Sequence, residues 1–261
     1  MIQLSLVGIG TGNPDHLTGQ AIAEMRAADL VMVPLKGADK ADLADLRLQL
    51  CASLAPDTPV ATFDLPRRAA DGDYLPAVAD WHDAIARIWA ETLAGHFPKG
   101  GKAVLLVWGD PSLYDSTLRI AERVRAGGMV LRVRVVPGIT SLSALTAAHA
   151  IPLNTPGAPV VITTGRRLRD GGWPEGADSV AVMLDAGGAF QAIDPEGVQI
   201  WWGAYLGMPQ EHLIAGPLAR VGAQIISERA SLRARHGWIM DIYLLRKARP
   251  DGPGRGASST P

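Results

Sequence analysis

The sequence predicts a two-domain α/β protein: an N-terminal, mostly parallel αβα sandwich, then a C-terminal α/β domain with a mixed sheet. Three observations carry this. Over residues 1–150, short apolar runs alternate with stretches of helical period, the pattern of βα units around a parallel sheet. Between 151 and 159 three prolines and a glycine interrupt the chain and mark a linker at 151–158. From 159 to 247, strand-like runs dominate with only short helical stretches between them.

The elements follow in order. Leu4, Leu6, Val7 and Ile9 form a buried strand that breaks into Gly8, Gly10, Gly12 and Asn13-Pro14. Ile22, Met25 and Ala28 then recur at helical spacing. A second strand spans Asp29–Val33, with Pro34 opening a loop, and a helix follows along Leu43, Leu46, Leu50 and Leu54. A third short strand near Pro59–Phe63 leads through a polar loop to a long helix over Tyr74–His96. The run Ala103–Trp108 has no alternation, which suits a central parallel strand covered on both faces. A helix over Leu113–Ala126, a strand over Val130–Val136 and a helix ending near His149 complete the domain. Strands are expected beyond it at Val160–Thr164, Val180–Leu184, Val198–Gly203, His212–Leu218, Gln224–Ser227 and Trp238–Leu245. The tail at 248–261 is rich in Pro, Gly and Ser and is expected to be disordered.

Three strands of the first domain end in loops with turn chemistry: Gly8–Pro14, Gly109–Ser112 and Pro137–Ser141. Ligands of open parallel sheets bind outside the carboxyl ends of strands. The opening loop is not a dinucleotide fingerprint. Asn13 stands where its third glycine belongs, and no acid closes the second strand. This weakens a nicotinamide-dependent oxidoreductase.

Composition narrows the classes. Basic and acidic residues nearly balance, 25 against 26, which disfavours a broad nucleic-acid surface. The single cysteine, Cys51, excludes an intrachain disulfide and a Cys-rich metal site and fits a reducing, cytoplasmic setting. The histidines show no metal-binding spacing, so no metal is expected. No signal peptide is visible, and no apolar run reaches the roughly 18 residues of a membrane span.

VGIGTGNPDHLT (Val7–Thr18), WGDPSLYDS (Trp108–Ser116) and VPGITS (Val136–Ser141), in this order and spacing, resemble the tetrapyrrole methylases, class III S-adenosylmethionine-dependent methyltransferases. Met183 and YLGMPQEHLIAGPL (Tyr205–Leu218) resemble that family's second domain. Within the family, Val31–Arg47, Asp64–Val78 and Arg235–Arg246 resemble the branch acting in aerobic cobalamin synthesis. The resemblance implies methylation of precorrin-5 at C-1, with release of acetate, to give precorrin-6A. It departs from the wider family at Thr11 and Asn13, and at Pro34, where the sirohaem-type uroporphyrinogen methylases carry an acidic residue implicated in catalysis.

The resemblance also implies the sites. S-adenosylmethionine would lie folded between the domains, beside Gly10, Thr11, Trp108, Gly109, Asp110, Leu113, Thr140, Ser141, Met183, Tyr205 and Leu206, and would leave as S-adenosylhomocysteine. Each residue also has a plainer use. Asp110 can close its own turn, Thr140 and Ser141 can cap a helix, and Met183 can pack a core. The substrate would be an anionic tetrapyrrole. Lys36, Arg67, Arg68, Arg166 and Arg167, in loops after strands, would meet its carboxylates, or else are solvated surface charge. Arg169 belongs with them, whereas Arg229, Arg233 and Arg235 read as surface. His82, His96 and His149 read as helical and structural. Deacetylation calls for a base and an oxyanion donor, with Tyr114, Asp241 and His236 as the candidates. A homodimer is implied, with neither nucleic acid nor membrane as partner. The competing expectations are another precorrin or RNA methyltransferase of this fold, a nicotinamide-dependent oxidoreductase, and a corrinoid-binding protein without catalysis.

Overall fold

A computed structural model describes residues 1–35, 41–66 and 74–247. The chain forms two compact units, Met1–Ser141 and Leu142–Pro261.

The first unit is built on one parallel sheet of β1 (Ile2–Gly8), β2 (Leu30–Leu35), β3 (Val60–Asp64), β4 (Gly101–Val107) and β5 (Leu131–Val136), in the order β3-β2-β4-β1-β5. β1 and β4 are buried over nearly their whole length, as central strands covered on both faces must be. The edge strands β3 and β5 are largely exposed. Five helices accompany the strands: α1 (Gly19–Arg26), α2 (Ala41–Leu54), α3 (Tyr74–His96), α4 (Thr117–Ala126) and α5 (Ser141–Ala148), the last falling almost wholly in the second unit.

Alternation along the strands sends side chains to opposite faces. Leu4, Leu6, Met32 and Leu105 pack with Ile85, Trp89 and Leu93 of α3 and Val124 of α4. Val7, Val31, Val33, Val104 and Leu106 pack on the other face with Met25 of α1 and Leu50 and Cys51 of α2.

The second unit carries a mixed sheet of β6 (Val160–Thr164), β7 (Ser179–Met183), β8 (Val198–Ala204), β9 (His212–Pro217) and β10 (Asp241–Lys247), in the order β6-β7-β10-β8-β9. The β6·β7 pair is parallel and the other pairs are antiparallel. Besides α5, it carries the helices α6 (Gly165–Gly171) and α7 (Leu218–His236). Trp202, Tyr205, Tyr243 and Phe190 form the aromatic centre of its core. Arg246 ties the proline-rich stretch to this unit by donating to the carbonyls of Pro152 (2.8 Å) and Leu153 (3.0 Å).

Several expectations need correction. Gln224–Ser227 is not a strand: it lies inside the 19-residue helix α7, so the second unit has more than short helical stretches. The apolar stripe of α7 is narrow, with Leu218, Ile225 and Leu232 its buried residues, and a local β-like run of isoleucines obscured it. The last strand starts at Asp241 rather than Trp238, because Gly237 takes a left-handed φ of 74° and ends α7. α4 begins at Thr117, not Leu113, because Tyr114 sits at φ 49° and breaks helical continuity. β2 continues through Pro34 to Leu35. His149 lies beyond α5 and bonds the Trp202 carbonyl at 3.0 Å. No helix among the described residues is long and apolar enough to cross a membrane.

Candidate functional site

In the first unit, the three loops singled out in the sequence follow β4, β1 and β5, which are adjacent in the sheet. Their backbones pack against one another. A Cβ on Gly8 would meet Gly138 N at 2.6 Å, and one on Gly138 would meet the Gly109 carbonyl oxygen at 2.1 Å. Only glycine permits that approach. Gly10 and Gly109 exchange backbone hydrogen bonds of 3.2 and 2.7 Å. Gly109 itself has φ 67°, and nothing lies within 4 Å of where its Cβ would stand.

Asp110 locks this arrangement. Its Oδ2 accepts from Gly138 N at 2.9 Å, and its Oδ1 accepts from Ser112 N at 2.8 Å and from the Ser112 hydroxyl. Burial alone would raise its pKa, but these three donors outweigh it and hold the carboxyl below the usual range. The donors this buried acid needs are therefore loop N–H groups and a serine. Thr11 is buried, and its hydroxyl shares a 3.1 Å hydrogen bond with His16 Nδ1. Trp108, Leu113 and Thr140 are half-buried, as is Ser141 at the start of α5. Tyr114 is 43% exposed at a left-handed φ that a bulky residue rarely adopts.

The second unit presents its own set. Met183 ends β7 half-buried. The next residue, Leu184, has φ 52° and is 67% exposed. Asp185 then turns inward and accepts from Tyr243 Oη (2.8 Å), Ala189 N (2.5 Å), Gly187 N (3.0 Å) and Arg169 Nη2 (3.4 Å). Sequence reasoning missed Asp185. Its signal was an acid followed by Ala-Gly-Gly directly after a strand.

Tyr205 is buried at φ 50°, and its hydroxyl donates to the Trp238 carbonyl. Burial, and then the negative charge of Asp241, push its pKa up. The His236 and Trp238 rings stand edge-on to it, 5.2 and 5.0 Å between centroids. Leu206 is buried against Gly203. Asp241 is not open: Oδ2 accepts from Trp202 Nε1 (2.9 Å) and Arg229 Nε (2.8 Å), and Oδ1 from Arg229 Nη2 (3.3 Å).

Arg229, expected at the surface, has a side chain only 12% exposed and also donates to the carbonyls of Asp185 and Ala186. Arg166 and Arg167 are exposed but belong to α6 rather than to a loop. Lys36, Arg67 and Arg68 lie outside the described residues, as does the tail 248–261.

The structure thus brings Gly10, Gly109 and Asp110 together in the first unit. In the second it brings Tyr205 beside His236, and Asp241 beside Arg229. Of the three residues considered for base catalysis, Tyr114 stands in the first unit and His236 and Asp241 in the second.

Similarity to known proteins identifies the family. The sequence profile of the Tetrapyrrole (Corrin/Porphyrin) Methylases matches residues 3–222. A Sinorhizobium protein named precorrin-6A synthase [deacetylating] is 48% identical over 251 residues, covering 95% of this chain and 96% of its own. A crystal structure of a putative cobalamin synthesis related protein (CobF) from Corynebacterium diphtheriae is 39% identical. It superposes with a TM-score of 0.83 over 95% of this chain and 100% of that one. The uroporphyrin-III C-methyl transferase of Thermus thermophilus, solved with S-adenyl homocysteine, is 20% identical with a TM-score of 0.59 over 94% of this chain and 92% of its own, a likeness of fold. The chain belongs to the tetrapyrrole (corrin/porphyrin) methylase family.

Proposed function

We propose that the protein transfers a methyl group from S-adenosylmethionine to C-1 of precorrin-5 and releases the previously extruded acetyl group as acetate, giving precorrin-6A. The observation that carries this is 48% identity, across nearly the full length of both chains, to a relative named for that reaction.

The first-unit loops fit the methyl donor. Gly109 leaves open space at its Cα, and the half-buried Trp108, Leu113 and Thr140 belong to the same three loops, offering an aromatic face, an aliphatic side chain and a hydroxyl. In this reading Gly10, Thr11, Trp108, Gly109, Leu113, Thr140 and Ser141 of the first unit hold the donor; Met183, Tyr205 and Leu206 are proposed as donor-binding residues on the family resemblance alone. Asp110 acts through Gly138 and Ser112 by fixing the loops. When bound, S-adenosylmethionine supplies an activated methyl group on a sulfonium. The pyrrolic carbon is itself electron-rich, so the chain's task in methyl transfer is alignment. A rigid backbone staple suits that task better than a strong base would.

Loss of the acetyl group is hydrolytic. Water adds to the ketone carbon, the bond to the ring carbon breaks, and acetate leaves while the bonding pair returns to the macrocycle. His236 is the proposed base, because both oxygens of Asp241 already accept hydrogen bonds and Asp241 is screened by Arg229. Tyr114, exposed and held in an unusual conformation, is the proposed donor to the carbonyl oxygen. Arg166 and Arg167 are proposed to meet substrate carboxylates. The family resemblance also supports a cytoplasmic homodimer, and light scattering that gave a monomer would remove the dimer.

The test is an incubation of purified protein with methyl-labelled S-adenosylmethionine and, separately, enzymatically made precorrin-5, precorrin-2 and total RNA. Label in the precorrin-5 product alone is expected. Label only in precorrin-2 or RNA would replace this substrate assignment.

A further inference from the structure

A guanidinium is buried in a gap of the first sheet. β2 and β4 pair through Met32↔Leu105 and then part. Continuing that register would set position 34 opposite Val107, with its N–H donating to the Leu106 carbonyl. Position 34 is proline, which has no N–H. The Leu106 carbonyl accepts instead from Arg47 Nε at 3.3 Å. Arg47 Nη1 donates to the Leu43 carbonyl at 2.9 Å, and the guanidinium carbon lies 5.8 Å from the centroid of the Trp108 ring.

Satisfying one stranded carbonyl needs only a neutral donor. Arg47 brings a full charge to a position that is 7% exposed, which is costly unless an anion offsets it. Among the described residues, no carboxylate forms an ion pair with it. Burial drives its pKa down to about 10, partly offset by the charge of Asp115, so the cation persists at neutral pH. Nη2 has no hydrogen-bond partner among the described residues. It is also not one of the fully enclosed orphan nitrogens, which are His82 Nε2 and Trp89 Nε1. The gap lies at the carboxyl ends of β2 and β4, the side on which ligands of parallel sheets bind.

We propose that Arg47 is a carboxylate-binding residue: its guanidinium, held by the Leu43 and Leu106 carbonyls in the gap at Pro34 beside Trp108, takes a carboxylate of a bound ligand. This rests on the methyltransferase reading above. Two ligands of that reaction carry the group, the acid side chains of the tetrapyrrole and the amino-acid end of S-adenosylmethionine.

The experiment compares wild type with Arg47→Gln, which keeps a neutral donor, and with Arg47→Met, which fills the space should the glutamine variant not fold. KM for precorrin-5, the Kd of S-adenosylhomocysteine and kcat are measured for each, with Arg47→Lys as the conservative rescue. A KM for precorrin-5 raised tenfold or more, with S-adenosylhomocysteine affinity unchanged and partial recovery in Arg47→Lys, assigns the tetrapyrrole carboxylate. Tenfold weaker S-adenosylhomocysteine binding with KM for precorrin-5 unchanged assigns the donor's carboxylate. Folded variants within twofold of wild type on both, or altered only in kcat, overturn the proposal and leave Arg47 a strand cap. A wild type that does not methylate precorrin-5 removes the parent reading, and this proposal with it.

Discussion

Oδ2 of Asp110 accepts the Gly138 N–H at 2.9 Å, joining the loop after β4 to the loop after β5 across the intervening strand β1. The Gly138 and Ser112 N–H groups give this carboxylate from within the protein the hydrogen bonds that a ligand hydroxyl or ammonium would give it from outside. Asp110 is a positioning residue for the surface that the donor is proposed to occupy. Asp110→Ala orphans the Gly138 N–H and the Ser112 N–H, at a cost of about 1–3 kcal/mol. Because its folded pKa is lowered, its stabilising contribution is complete above the ordinary carboxylate pKa of about 4 and is lost as pH falls through the folded value. Urea titrations between neutral and acid pH should show wild type losing stability on acidification, with a shallower loss in the variant. Parallel curves would contradict this role.

Close approach of the glycines makes a second prediction. A Cβ on Gly138 cannot occupy the 2.1 Å gap to the Gly109 carbonyl without moving one of the loops. Gly138→Ala should destabilise the first unit by about 1–3 kcal/mol and weaken S-adenosylhomocysteine binding at least tenfold by calorimetry. Wild-type affinity in that variant would separate the glycine packing from ligand binding.

His82 supplies a pH-dependent case. It is 5% exposed, with Nε2 unpartnered among the described residues, and its pKa is lowered first by burial and then by the charges of Arg123 and Arg119. The unfolded chain therefore takes up a proton that the folded one resists. Stability is lost as pH falls below the unfolded value of about 6.5. His82→Leu should be close to neutral at pH 8 and should flatten the decline between about pH 6.5 and the carboxylate range. A decline that stays as steep as wild type would show that His82 does not contribute to it.

In the second unit, Arg229 holds Asp241 and the carbonyls of Asp185 and Ala186. Arg229→Met would leave the Asp241 carboxylate buried without its cation, a loss of about 3–5 kcal/mol. Denaturant melts should show this loss partly restored by Arg229→Lys. A loss below about 1 kcal/mol would instead mean that the pair behaves like a surface ion pair.

How much of this was legible in the sequence follows from the range of the forces involved. The parallel sheet was readable because β1 and β4 bury both faces and so carry near-continuous apolar runs. The loops after β1, β4 and β5 were readable because turn chemistry is local. α7 was not, because one heptad-spaced stripe of Leu218, Ile225 and Leu232 is thin evidence beside a local run of isoleucines. Arg229 read as surface because its partners lie outside its helix, Asp241 12 residues on and Asp185 44 residues back, and only the tertiary fold places them. Asp185 went unread for the same reason: its partner Tyr243 is 58 residues away. Nothing local in the sequence singles out Arg47. Its burial depends on how β2 and β4 part at Pro34, a register that no local pattern records.

The most direct test of the account is a single-turnover incubation of stoichiometric protein with S-adenosylmethionine and precorrin-5, counting methyl groups gained by mass spectrometry and acetate released enzymatically. One methyl gained and one acetate released per macrocycle is the predicted result. Methyl gain without acetate, or neither despite measured S-adenosylhomocysteine binding, would contradict it.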